Sequence, residues 1–282
     1  MMKRALVLAG GGVAGIAWEL GVLRGIQDLD PALQASIAAA DVVVGTSAGS
    51  AVAAQITSGA VLEDLYAAQL TPASSEIEVD FDPEDLMARF TAAAAGATTA
   101  GDMRRRIGAL ALAAQTTGEL ARRAAIAARL PVREWPDRVV LLPAVDAESG
   151  EPVIFTRDSG VTLADAVAAS CAVPGVWPPV TINGHRYMDG GVRSLTNADL
   201  AAGCDRILVI TPTPADAPQP WGNLDDEIEL LKPGRVQVVH ADPASLAAFG
   251  TNPLSPATRG PAARAGREIG QARAAGLALF WN

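Results

Sequence analysis

The sequence predicts an α/β protein built on a parallel sheet, and three observations carry that expectation. A short apolar strand over residues 5–9 runs into the glycine turn Gly10-Gly11-Gly12, then into helical apolar spacing at Ile16, Leu20, Leu23 and Ile26. The same order returns at Val42-Val43-Val44, the turn Gly45-Thr46-Ser47-Ala48-Gly49 and the alanine-rich run 51–58. Strands that alternate with helices build parallel sheets. The 282 residues, half of them hydrophobic, suffice for one large domain.

The first turn has two readings. Gly10, Gly12 and Gly15 satisfy the dinucleotide fingerprint, which wants an acidic residue at the end of the second strand. Asp41 stands at the wrong end of that strand, and the nucleotide reading loses. Glycine N–H groups can instead turn together toward an oxyanion. The second turn has the form of a nucleophile elbow, Gly45-x-Ser47-x-Gly49. Small residues either side let strand and helix approach, and the serine stands near a helix N-terminus that favours developing negative charge. In a parallel sheet both turns lie at one edge, so Gly10, Gly11, Gly12 and Ser47 are expected to face one pocket.

Beyond residue 75 the chain turns acidic, then helical. Asp102 is read as capping a helix over 103–114, and Thr116 with Glu119 as a capping box for one over 120–130. Leu110, Leu112, Ile126 and Leu130 among arginines make these helices amphipathic, which suits packing on the sheet or a mobile, lipid-facing lid. Strands return at 139–145 and 152–155. Thr162-x-x-Asp165 opens a helix through Ser170 that Pro174 ends. A hairpin turns at Asn183-Gly184 and leads to Asp189-Gly190-Gly191. A short capped helix over 197–203, a core strand over 206–211, a proline-rich surface loop over 212–220, a strand over 236–240 and a closing helix over 259–279 complete the reading.

A net charge of −9, with basic residues scattered apart from Arg104-Arg105-Arg106, argues against nucleic acid and against electrostatic capture by anionic lipid. Cys171 and Cys204 are too few and too far apart for a disulfide framework, and with two histidines they form no zinc pattern. Met1-Met2-Lys3-Arg4 and the apolar residues after it imitate a signal peptide, but Gly10-Gly11-Gly12 and Gly15 break the run and Glu19 closes it. No segment reaches the roughly 18 apolar residues of a spanning helix. The expectation is a cytoplasmic protein.

Four motifs in this order resemble the patatin-like phospholipase family: Gly-Gly-Gly-x-x-Gly at Gly10, Gly-Thr-Ser-Ala-Gly at Gly45, Ala-Ser-x-Ala-x-Pro at Ala169 and Asp-Gly-Gly at Asp189. The similarity spans roughly residues 6–211. It implies a three-layer α/β/α sandwich with a mainly parallel central sheet; with no internal repeat or linker, a single domain over 1–282 is expected, its amphipathic helices at about 82–130 forming a cap-like insertion. It also implies a serine hydrolase acting on acyl esters of lipids, with Ser47 as nucleophile, Asp189 as base, and Gly10, Gly11 and Gly12 as the oxyanion hole. Gly15, Gly45, Gly49, Gly190 and Gly191 would support these motifs. No metal or cofactor is implied; the partners would be a lipid substrate and, transiently, a membrane surface. One departure is Ala14, where many members carry Arg or Lys. Two alternatives stay open: a triad that adds His240 to Ser47 and Asp189, and a catalytically silent protein that binds acyl chains or a partner.

Overall fold

Residues 2–72, 75–217 and 222–282 are described in this computed structural model. In chain order the elements are β1 (Arg4–Leu8), α1 (Gly12–Leu29), α2 (Pro31–Ala38), β2 (Val42–Gly45), α3 (Ala48–Ile56), α4 (Leu62–Leu70), α5 (Pro83–Ala94), α6 (Ala100–Ala113) and α7 (Glu119–Ala128). There follow β3 (Val139–Asp146), β4 (Pro152–Phe155), α8 (Leu163–Ser170), β5 (Val180–Ile182), β6 (His185–Asp189), β7 (Arg206–Thr211), α9 (Leu224–Leu230), β8 (Arg235–His240), α10 (Pro243–Phe249) and α11 (Arg259–Trp281).

The strands form one sheet in the order β5-β6-β3-β2-β1-β7-β8, with β4 also paired to β3. From β3 through β8 the pairings are parallel. Strand β3 changes partners along its length. Its first three residues pair in parallel with β2, and residues from Leu142 onward pair antiparallel with β4 and β6. The sheet is therefore mixed: an α/β fold with a parallel half and an antiparallel extension.

Alternation along the central strands builds two buried faces. Leu6, Leu8 and Val43 join the large core under α1, α3, α8 and α11. Ala5, Val7, Val42 and Val44 join a smaller core with Ile207, Val209, Leu224 and Leu231 beneath α9. Helices α1 and α11 cross in backbone contact. A Cβ at Gly21 or Gly25 would lie 2.2 or 2.0 Å from carbonyl oxygens of α11, and one at Gly266 or Gly270 would lie 2.1 Å from carbonyl oxygens of α1.

A third cluster sits over the C-terminal part of β3 and joins Leu86 and Phe90 of α5, Ile107 and Ala111 of α6, and Met188 and Val192. Helix α7 is tied to the body by Arg123, which pairs with Asp165, and by Glu119, which accepts from the Thr181 N–H and hydroxyl. Among the described residues no helix is long and apolar enough to cross a membrane.

Several local expectations need correction. Helix α6 starts earlier than residue 103, because Thr99 rather than Asp102 caps it and accepts from the Asp102 N–H at 3.1 Å. The box at Thr116 and Glu119 does not form. Gly118 is the cap residue of α7, and Glu119 is engaged by Thr181 and Arg123 instead. Residues 198–201 form a 3₁₀ turn without a side-chain cap, since the Asn197 amide donates to Thr46, Gly190 and Ser194. Of the proline-rich loop, residues 218–220 lie outside the described residues, and its first residue, Pro212, packs against Gly11. Cys171 and Cys204 are both buried free thiols.

Candidate active site

The parallel register of β1 and β2 sets Leu8 beside Gly45, so the turns that follow emerge together. A Cβ at Gly10 would lie 3.5 Å from the Ser47 Cβ. The elbow needs its glycines for space. A Cβ at Gly45 would lie 2.5 Å from the Gly49 carbonyl oxygen, and one at Gly49 only 2.1 Å from the Leu8 carbonyl oxygen. Both obstacles are backbone, so neither can rotate away. Gly49→Ala is therefore expected to cost about 3 kcal/mol or more of unfolding free energy. An unchanged urea midpoint would mean that α3 does not approach β1 this closely.

Ser47 sits at φ 51°, ψ −114°, outside the regions an L-residue favours. Such strain persists only where the surroundings fix it. The Ser47 N–H donates to Ser170 Oγ at 2.9 Å. The Ser47 carbonyl accepts from the Ser50 hydroxyl at 2.6 Å and from the Cys171 thiol at 3.1 Å. The Ala-Ser-x-Ala-x-Pro segment thus clamps the elbow. It also places the acid, because the Asp189 N–H donates to the Ala172 carbonyl at 2.9 Å.

Asp189 ends β6, and Gly190 after it lies against Pro143 of β3, where a Cβ would meet the carbonyl at 2.3 Å. Ser47 Oγ donates to Asp189 Oδ2 at 2.7 Å. The Gly191 N–H holds the other oxygen, Oδ1, also at 2.7 Å. Burial pushes the Asp189 carboxyl up to about 7, against the pull of the Ser47 hydroxyl, the Gly191 N–H and the Arg122 charge. A carboxyl with that pKa is divided between acid and base near neutrality.

The first glycine turn supplies two donors rather than three. The Gly10 N–H is spent on the Leu195 carbonyl at 2.8 Å. Gly11 and Gly12 have no acceptor for their N–H groups among the described residues, and they open α1, whose dipole favours an anion there. Gly12 adopts φ +66° and Gly15 packs close to Ala48, so glycine at these positions keeps the turn beside the elbow.

Above Ser47 lies a cavity of about 250 Å³, walled mainly by apolar atoms. Gly11, Gly12, Ser47 and Asp189 form its floor, and Leu86, Met87 and Phe90 of α5 line it as well. Neither histidine reaches the pair. His240 Nδ1 lies 3.2 Å from the Thr213 carbonyl and His185 Nδ1 lies 3.1 Å from Asp146. No sequence pattern gives Ser170 or Arg122, both near Ser47, a role of its own. Ser170 lies inside the Ala-Ser-x-Ala-x-Pro motif, and Arg122 reads as one more polar position on an amphipathic helix.

A family model described as patatin-like phospholipase matches residues 6–202. Among solved structures, VipD from Legionella pneumophila matches with 13% sequence identity and a TM-score of 0.40, over 88% of this chain and 53% of that one. The chain thus spans about half the length of VipD. No curated protein matches it.

Proposed function

Because the chain belongs to the patatin-like phospholipase family, we propose that it is a lipid acyl hydrolase cleaving carboxylic esters through a Ser47–Asp189 dyad. The observation that carries this reading is the 2.7 Å hydrogen bond from the Ser47 hydroxyl to Asp189 at a strained turn beneath an apolar cavity. In the reaction, Asp189 accepts the hydroxyl proton as Ser47 Oγ attacks the acyl carbon. The carbonyl electron pair moves onto oxygen, where the Gly11 and Gly12 N–H groups receive it. The C–O bond to the alcohol then breaks, and Asp189 returns the proton to the departing oxygen. A water molecule, deprotonated by Asp189 in turn, attacks the acyl-Ser47 ester; the acyl–Oγ bond breaks, the acid departs and Asp189 returns the proton to Ser47 Oγ. In this reading the acyl chain lies in the cavity, α5 serves as part of a cap over 82–130, and the chain works as one domain at a membrane or micelle surface.

The test is release of fatty acid from a diacyl phospholipid in mixed micelles, followed by mass spectrometry. Wild type and His240→Ala are expected to release fatty acid at rates within about threefold, since His240 holds a loop carbonyl rather than the dyad. A loss of several orders of magnitude in a folded His240→Ala protein would move the assignment to a triad. No fatty acid from wild type on any acyl ester would favour a silent binding protein.

A further inference from the structure

Arg122 lies on α7 with a relative exposure of 5%. Its Cζ sits 3.7 Å from the centre of the Trp177 ring, and its Nε and Nη1 atoms have no hydrogen-bond partner among the described residues. Guanidinium N–H groups lie in the plane of the group, so the ring against its face does not take up their hydrogen bonds, and both atoms are fully buried. Neither neighbouring acid hydrogen-bonds to it: the Asp189 oxygens, which feel its charge, accept from Ser47 and Gly191. Glu76 is held by Arg129 through two hydrogen bonds of 2.9 and 2.6 Å. A buried cation with idle donors is costly unless an anion meets it.

Arg122 lines a small cavity beside Ser47. It measures about 20 Å³, and its walls include Ser47, Ala48, Gly12, Cys171 and Leu254. That is room for one oxygen-sized group. It opens beside the larger apolar cavity, with Gly12, Ser47, Val173 and Leu254 common to both. Burial and repulsion from Arg129 bring Arg122 down to about 10, so it stays charged at neutral pH.

We propose that the Arg122 charge, in the wall of the small cavity that it shares with Ser47, stabilises the oxyanion formed when Ser47 attacks the ester. The inference rests on Ser47 being the nucleophile. As the Oγ–carbon bond forms, the carbonyl pair collects on oxygen and the proton goes to Asp189; Arg122 supplies positive charge and keeps its own protons. The helical insertion then brings a cation to the site as well as a roof. Arg122 therefore supplements the backbone donors of the first glycine turn.

The test compares wild type, Arg122→Lys and Arg122→Met on two butyrate esters, one with a neutral nitrophenyl leaving group and one whose leaving group carries a carboxylate. Loss of one oxyanion donor typically costs on the order of 10²-fold in kcat. The Met variant is expected to fall by about that factor on both esters, with KM nearly unchanged, and the Lys variant by about tenfold. Unchanged kcat, or a KM rise confined to the anionic ester, overturns the proposal; the second result would make Arg122 a leaving-group receptor. If Arg122→Met fails to fold, the nitrogen NMR spectrum of wild type decides. The Arg122 Nε–H signal should shift when Ser47 is phosphonylated, because the phosphonyl oxygen stands where the oxyanion would, and an unmoved signal counts against the proposal. A wild type that neither turns over nor is phosphonylated removes the nucleophile reading itself, a failure visible before any Arg122 variant is made.

Discussion

Ser47→Gly and Ser47→Ala are each expected to lose ester hydrolysis by about 10⁴-fold or more, yet to differ in stability in an unusual direction. Both remove the Oγ that donates to Asp189, so that loss cancels between them. What remains is the backbone. At an ordinary position glycine is about 0.5–1 kcal/mol less stable than alanine. At φ 51°, ψ −114° a residue with a Cβ bears strain of about 1–3 kcal/mol, which glycine does not. The glycine variant should therefore be the more stable of the two by about 1 kcal/mol, read from urea unfolding. Alanine proving more stable would mean the elbow is relaxed, and the hydroxyl is then not held by a strained turn.

Asp189→Asn should abolish activity and raise stability together. A base that cannot take the proton is expected to lower kcat by about 10³–10⁴-fold. Stability follows from the sign of the pKa shift. The folded-state value, about 7, lies above the ordinary 3.8, so the folded protein holds this proton more tightly than the unfolded chain. The resulting stabilisation is complete below pH 3.8 and is lost as pH rises toward and through 7. Three pKa units correspond to roughly 4 kcal/mol, an upper figure for the cost of ionised Asp189 at pH 8. Asparagine does not ionise, so the variant should match wild type near pH 4 and outlast it in denaturant at pH 8. In wild type, kcat/KM should rise with pH through about 7 as Asp189 ionises. A rate that falls over that range would require the protonated acid instead.

The parts of the site that lie in short local patterns were readable from the chain. Gly45-x-Ser47-x-Gly49 between a β-branched strand and an alanine-rich helix states its own geometry, and the structure places Ser47 at that turn. Asp189 alone was only an acid before two glycines. It gained meaning from the order of the other motifs, and β6 pairing with β3 brings it to Ser47. What was not readable depends on contacts distant in sequence. Whether Gly10 can donate to an oxyanion is decided by Leu195, which takes its N–H. The clamp on Ser47 comes from Ser170, 123 residues away. Arg122 shows its lack of a partner only once Glu76 is seen to be occupied by Arg129. The change of partners along β3 is equally hidden, since an apolar run reads the same in parallel and antiparallel pairing. The interlocking glycines of α1 and α11 sit more than 200 residues apart and signal nothing separately.

The central claim is an activated serine at the elbow, and intact mass after fluorophosphonate treatment tests it most directly. Wild type and Ser47→Ala would be treated side by side at pH 8, where Asp189 is ionised. The account predicts a single adduct on wild type, mapped to Ser47 by peptide mass, and none on Ser47→Ala. Equal labelling of both proteins, or no labelling of a folded wild type, would contradict it.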